Sequence, residues 1–268
     1  MLVDTALARR IDQTGAIFIR QWLEGAATRD GNPHGLEFFY RGPVVAAASD
    51  QQPDNPMMNR AIDLTPDDIE YVPPLVSWYR RKGIWPWFEV GPSDGADALL
   101  DALAAEGAWP VGFLQVSVGA PLPLGEGATE GLAVEPVDGD SIGVFAETLM
   151  SGHAVEADRL KQAAADLDNS HQVPGLFPLL ARADGEPAGA AVLFVRDGVG
   201  LLADASTVLA QRGRGVGAAL LAARIKLAAE LGCEFVAGLS RFGSTTHLEY
   251  QRSGLVSGYT RAVLHLGG

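Results

Sequence analysis

At 268 residues the chain is long for one domain and comfortable for two. With 47% hydrophobic and 20% charged residues it can bury a substantial core, so it is neither disordered nor fibrous. A net charge of −13 argues against nucleic acid as a partner, and the single cysteine, Cys233, excludes an intrachain disulfide or a cysteine-cluster zinc site. No apolar run approaches the roughly 20 residues of a membrane-spanning helix. The start, Met1-Leu2-Val3-Asp4, lacks the basic patch and apolar stretch of a secretory signal. The expectation is a soluble, cytoplasmic protein without a membrane partner.

The first half opens with a helix over 4–27, where Leu7, Ile11, Ile17, Phe18 and Leu23 share a face. Residues 36–48 read as two short strands turned at Arg41-Gly42-Pro43, and 59–64 as a third. Asp67 and Asp68 suit the positive end of a helix that reaches Lys82 and stops at Gly83. Pro73 and Pro74 within it require a kink or a split. A strand over 85–90, a helix capped by Ser93 and running to Glu106, and a strand over 109–118 complete this half. The Pro/Gly-rich run 119–131 reads as a linker, giving domains over 1–118 and 132–268.

The second half begins with a strand at 132–135, a helix over 138–150 and a second helix over 156–167. Strands follow at 176–183, 188–195 and 199–208, with Asp184-Gly185 and Asp197-Gly198 as hairpin signals. A helix over 215–231, a strand over 234–239, a helix over 244–253 and a last strand over 255–266 close the chain. Both halves end in strand, helix, strand, helix, Gly, strand, a weak repeat carried by order rather than identity.

One segment carries chemistry. In Val208-Leu209-Ala210-Gln211-Arg212-Gly213-Arg214-Gly215-Val216-Gly217-Ala218 a strand ends, a glycine-rich loop turns and a helix begins. Glycines let backbone N–H groups converge on an anion, the helix terminus adds a positive dipole, and two arginines add full charges. A P-loop is excluded because no Gly-Lys-Ser/Thr occurs. A dinucleotide fingerprint is matched formally by Gly213, Gly215 and Ala218. The strand after it, however, ends at Leu239-Ser240-Arg241 with no acidic residue, and too little chain remains for a doubly wound domain.

Arg212-Gly213-Arg214-Gly215-Val216-Gly217 matches the acyl-CoA signature Arg/Gln-x-x-Gly-x-Gly/Ala, and Tyr250-Gln251-Arg252-Ser253-Gly254-Leu255 looks like the later Tyr-x-x-x-Gly-Phe segment. In these motifs residues 131–268 resemble the GCN5-related N-acetyltransferase (GNAT) superfamily. Leu255 stands where Phe is usual, and the asparagine common ahead of the tyrosine helix is absent. The resemblance implies a mixed α/β sheet in a tandem GNAT-like fold and an acetyl-CoA-dependent N-acetyltransferase acting on a primary amine in a ternary complex. It implies that acetyl-CoA lies along Arg212, Gly213, Arg214, Gly215, Val216, Gly217 and Ala218, and that its pantetheine arm pairs near Val208 and Ala210. It also implies an oxyanion donor in the Val208 N–H and a general acid in Tyr250.

Asp204 is the candidate base, sharing a strand face with Ser206. His247 and Glu249 flank the tyrosine helix; His247, one turn before Tyr250, either faces the same cleft or, as is commoner, is a solvated helix histidine. His153 and His171 fall in loops and say little alone, Cys233 reads as a buried structural thiol, and no residue set has metal-ligand spacing. A non-catalytic acyl-CoA sensor is the alternative.

In the first half the position of the signature holds Leu64-Thr65-Pro66-Asp67-Asp68-Ile69-Glu70, whose carboxylates would repel a pyrophosphate. This half reads as a degenerate GNAT-like domain. Its aromatic cluster of Trp78, Tyr79, Trp85, Trp87 and Phe88 serves either its own core or the packing of the halves. The acidity concentrates here: residues 1–130 carry 9 Lys/Arg against 18 Asp/Glu, and residues 131–268 carry 11 against 15. The overall charge favours a cationic amine or peptide acceptor, and the sequence leaves room for a homodimer.

Overall fold

The computed structural model describes residues 3–122, 131–156, 160–161, 164–165, 167 and 173–267. Most of the expected linker, much of the expected 156–167 helix and His171 lie outside them. The chain divides into two compact units: Met1–Val116 with Ser240–Ser244 and Gly258–Gly268, and Ser117–Leu239 with Thr245–Ser257. Sequence order placed all of 132–268 together; strand pairing is the reason that its end joins the first unit.

The first unit starts with α1 (Thr5–Ala27), whose N-terminus is capped by the Asp4 carboxylate accepting from the Leu7 N–H at 2.8 Å. The strands β1 (Leu36–Arg41) and β2 (Val44–Ser49) form the expected hairpin, and β3 (Arg60–Ile62) follows. The prolines split the next helix into a 3-10 turn (Pro66–Tyr71) and α2 (Val72–Lys82), which ends at left-handed Gly83. Next come β4 (Trp87–Val90), α3 (Ala96–Ala105) and β5 (Ala108–Gly119), whose last three residues belong to the second unit. Gly95, not Ser93, is the N-cap of α3. The last strand of the chain, β11 (Val256–Leu266), pairs antiparallel with β4 from Ala262↔Val90 to His265↔Trp87. The strand order here is β1-β2-β3-β4-β11-β5. Tyr79 and Phe88 are fully buried in this unit's core, with Trp78 and Trp85 against it, so the aromatic cluster is its own core.

The second unit contains β6 (Leu132–Pro136), α4 (Ile142–Gly152), β7 (Leu176–Ala183), β8 (Glu186–Arg196), β9 (Val199–Thr207), α5 (Val216–Glu230), β10 (Phe235–Ser240, whose last residue belongs to the first unit) and α6 (Thr245–Arg252). Its strand order is β10-β9-β8-β7-β6. β6 to β9 run antiparallel, and β9 pairs parallel with β10, the crossover that α5 provides. Burial of Val216, Leu220, Leu221 and Ile225 holds α5 to the sheet, at about 1.5–3 kcal/mol per fully buried aliphatic side chain. The first unit has the same device on a smaller scale, since β3 and β4 are parallel and α2 joins them.

Candidate active site

The site is built where β9 and β10 part. Their parallel pairs run from Phe235↔Val199 to Ala237↔Leu201, yet β9 continues to Thr207 and β10 to Ser240. A register shift against β8 falls at the same level: Ala191 faces Ala205 while Leu193 faces Leu202. Two residues of β9, Ala203 and Asp204, therefore stand opposite Val192 alone, a β-bulge that twists β9 away from its neighbour. A backbone edge is left open on the β10 side of β9.

The glycine loop follows directly. Leu209–Gln211 makes one 3-10 turn, Gly213 and Gly215 adopt φ of 79° and 84°, and α5 starts at Val216. These left-handed conformations disfavour any side chain, which explains the alternating glycines. The first backbone bond of α5 runs from the Ala219 N–H to the Gly215 carbonyl at 3.0 Å. The N–H groups of Val216, Gly217 and Ala218 therefore have no partner within the helix and sit at its positive end, a setting suited to a diphosphate.

One expectation fails here. The Val208 N–H donates to the Ala188 carbonyl at 3.0 Å, so it is not available to an oxyanion. Val208 and Ala210 also lie beyond the end of β9, in the turn, where no strand edge is offered to a pantetheine arm. Antiparallel alternation sends the backbone of Val208 and Ser206 towards β8 and that of Ala205 and Thr207 towards the open edge.

The two arginines are already engaged. Arg212 donates from Nη2 to the Gly152 carbonyl at 3.2 Å and from Nε to the Thr207 carbonyl at 3.4 Å, tying the loop to the end of α4. Arg214 pairs with Asp184 at 2.5 Å and donates to Gln211 Oε1 at 2.7 Å. Both side chains are exposed, so each guanidinium keeps donors for an incoming anion.

Tyr250, on α6, is buried within the cluster of Leu202, Leu221, Ile225 and Val236. Its ring and hydroxyl lie on Gly238 of β10, one residue past the last paired position; a Cβ at Gly238 would fall 2.6 Å from the phenol oxygen. Burial and then the Glu249 charge push the phenol pKa up, while the buried Arg224 guanidinium opposes them. The hydroxyl is therefore protonated at neutral pH and sits at the fork.

Arg224 on α5 is itself buried, donating to the carbonyls of Leu220 at 3.2 Å and Val192 at 3.5 Å. Glu249 reaches back to the loop, with a carboxylate oxygen 3.3 Å from where a Cβ on Gly217 would stand. His247 is not the solvated helix histidine expected: it is buried, with Nε2 3.5 Å from Ser257 Oγ. The periodicity of so short and polar a helix does not reveal its inner face. Cys233 is buried in the same core as Tyr250, as expected of a structural thiol.

Asp204 acquires a partner that sequence spacing concealed. Its Oδ1 lies 2.7 Å from Nε2 of His153, the residue that closes α4. Gly152 packs so tightly on β9 that a Cβ there would fall 2.2 Å from Ser206 Oγ, and that hydroxyl donates to the Leu149 carbonyl at 2.7 Å. The end of α4 is thereby pressed onto β9, with Asp204 and Ser206 both facing it. The hydrogen bond to Asp204 raises the His153 pKa, against the lowering effect of burial. Their separation of 51 positions in the sequence makes the pair invisible to motif reading. Among the described residues no cluster of His, Cys, Asp and Glu suits a metal ion.

A mixed sheet that forks before a glycine-rich loop and helix is the GNAT fold. The profile of the Acetyltransferase (GNAT) family matches residues 146–247, within the C-terminal half. Such a domain supports acyl-CoA N-acyltransferase activity in general. Over nearly its full length the chain is similar to a solved GCN5-related N-acetyltransferase from Kribbella flavida, with TM-score 0.66, 19% identity, and 98% of this chain and 96% of that one covered. It is also similar to a tandem GNAT protein from the clavulanic acid biosynthesis pathway, with TM-score 0.63, 14% identity, and 93% and 95% covered. A third likeness is to a GCN5-related N-acetyltransferase from Sphaerobacter thermophilus, with TM-score 0.60, 14% identity, and 83% and 79% covered. At these identities the likeness establishes the fold. None of the curated protein sequences compared matches this chain. Among the described residues no helix is long and apolar enough to cross a membrane.

Proposed function

We propose that the protein is an acetyl-CoA-dependent N-acetyltransferase that modifies a primary amine by direct attack in a ternary complex. The observation that supports this most strongly is the parting of β9 and β10 at Leu201/Ala237, directly before the orphan N–H groups of Val216, Gly217 and Ala218. In this reading those groups, with Arg212 and Arg214, hold the diphosphate. The open edge of β9 at Ala205 and Thr207 receives the pantetheine arm and supplies the N–H donors that Val208 cannot. Acetyl-CoA supplies an activated acyl group. Tyr250, protonated and placed at the fork, gives its proton to the departing sulfur. Asp204 marks the side on which a cationic amine is received.

The first unit is, in the same reading, a degenerate GNAT-like domain. Its parallel pair begins the crossover with a capping box, in which the Asp68 carboxylate accepts from the Thr65 N–H at 2.9 Å and from its hydroxyl at 2.7 Å. The place of a diphosphate is taken by the protein's own carboxylate, and the unit serves as scaffold or acceptor-shaping surface.

Calorimetric titration with acetyl-CoA and with NAD tests the proposal: acetyl-CoA binds and NAD does not, and no acetyl-CoA binding at millimolar concentration would overturn it. The same titration gives a finer result. Glu249→Gln removes a negative charge beside Gly217 and tightens acetyl-CoA binding roughly several-fold at low ionic strength, an advantage that fades as salt screens the site.

A further inference from the structure

We propose that His153 is the proton acceptor for the attacking amine, and that Asp204 is a positioning residue that holds and polarises its ring. The inference rests on the acetyltransferase reading and deepens it by naming the base. Asp204 Oδ1 bonds His153 Nε2 at 2.7 Å, which in the neutral ring places the hydrogen on Nε2 and leaves the lone pair on Nδ1. Nδ1 has no hydrogen-bond partner among the described residues. The imidazole keeps 41% of its side-chain surface exposed, so an acceptor can reach it.

One hydrogen bond holds the ring: Asp204 meets it from the bulge of β9, while His153 itself closes the negative end of α4 and Arg212 holds the carbonyl of Gly152, the residue before it. The carboxylate and the helix end favour the imidazolium, while the Arg212 cation opposes it. The carboxylate is in direct contact and prevails. The resulting base suits an alkylammonium better than a bare carboxylate does, because the amine proton must go to a group that retains it near neutral pH.

The step balances. His153 Nδ1 takes a proton from the alkylammonium and passes it to solvent, which frees the nitrogen lone pair. That pair forms the C–N bond to the acyl carbon, and the carbonyl π pair moves onto its oxygen. The oxygen pair then returns, the C–S bond breaks with its electrons on sulfur, and Tyr250 protonates that sulfur. The second proton, on the now cationic nitrogen, passes through solvent to the Tyr250 oxygen.

Two measurements test this. The first is NMR titration of the imidazole in the free protein. The His153 pKa lies above that of an ordinary histidine, and Asp204→Asn brings it down; a value unmoved by that substitution overturns the pairing. The second uses acetyl-CoA with two probe nucleophiles: n-butylamine, which is protonated at neutral pH, and hydroxylamine, which is largely not.

His153→Gln lowers the n-butylamine rate about 100-fold at neutral pH, removes the rising limb of its pH profile, and lowers the hydroxylamine rate far less. Asp204→Asn keeps the limb but moves it to lower pH. If the limb survives His153→Gln and disappears in Asp204→Asn, Asp204 is itself the base and the inference is overturned. If the wild-type protein turns over neither probe, the acetyltransferase reading falls as well.

Discussion

Tyr250→Phe lowers kcat by about 100-fold or more while leaving acetyl-CoA affinity within about twofold, because positioned proton donors contribute roughly 10²–10⁴ to rate and the lost oxygen serves the departing sulfur rather than ground-state binding. The fold tolerates the change. The ring's contacts with Leu202, Leu221, Ile225 and Val236 and its seat on Gly238 are kept, so the loss in stability stays within about 1 kcal/mol. Steady-state kinetics with varied acetyl-CoA, read beside a thermal melt, separates these effects. Undiminished kcat would remove Tyr250 from the reaction and leave it a packing residue. Burial also protects the assignment from pH: a phenol held above its ordinary pKa donates a proton throughout the neutral range, so the rising limb of the pH profile belongs to the base.

Asp12→Ala destabilises the first unit by about 3–5 kcal/mol, the cost of leaving a buried cation without its partner. Arg261 of β11 is buried, and its guanidinium donates to Asp12 of α1 from Nε at 2.9 Å and Nη2 at 2.5 Å. Its Nη1 reaches Glu89 of β4 at 3.1 Å, and Arg60 of β3 reaches the other oxygen of Glu89 at 2.5 Å. The Tyr259 hydroxyl donates to Asp12 as well.

Burial alone would lower the Arg261 pKa, but Asp12 and Glu89 raise it, so the cation is permanent. The double variant Asp12→Leu with Arg261→Met loses less than Asp12→Ala, since apolar replacement leaves no buried charge behind. Chemical denaturation of the three proteins measures the order, and a loss below about 1 kcal/mol for Asp12→Ala would show the network to be solvated.

The same network sets an acid limit. Burial would push the Glu89 carboxyl up, yet Arg60 and Arg261 hold it below the ordinary glutamate range. A carboxyl lowered in the folded state contributes stability above its unfolded pKa, and that contribution is lost as pH falls through the folded value. The contact between β11 and β4 therefore weakens only in acid below the usual carboxylate range. The His153 and Asp204 pair has the opposite sign. Its contribution is full below the ordinary histidine pKa and fades as pH rises through the raised folded value.

Local signals in the sequence determined most elements. A period-3.6 apolar face gave α1, turn residues gave the β1–β2 hairpin, and the prolines at 73 and 74 announced the break that divides the 3-10 turn from α2. The glycine loop was legible because left-handed backbone and converging N–H groups restrict residue choice within a few positions. Tyr250 was singled out as a candidate through its distance from Gly254 and through family resemblance.

Three matters were decided only by tertiary structure. Strand pairing with β4 draws residues 258–268 into the first unit. The bond from the Val208 N–H to the Ala188 carbonyl engages a donor that the family resemblance implied for the oxyanion. The close packing of Gly152 on β9 brings His153 to Asp204 across 51 residues. The common reason is range: propensity, capping and glycine geometry act over neighbouring residues, whereas strand partners, bulge register and side-chain pairs depend on which distant segments the buried core brings together.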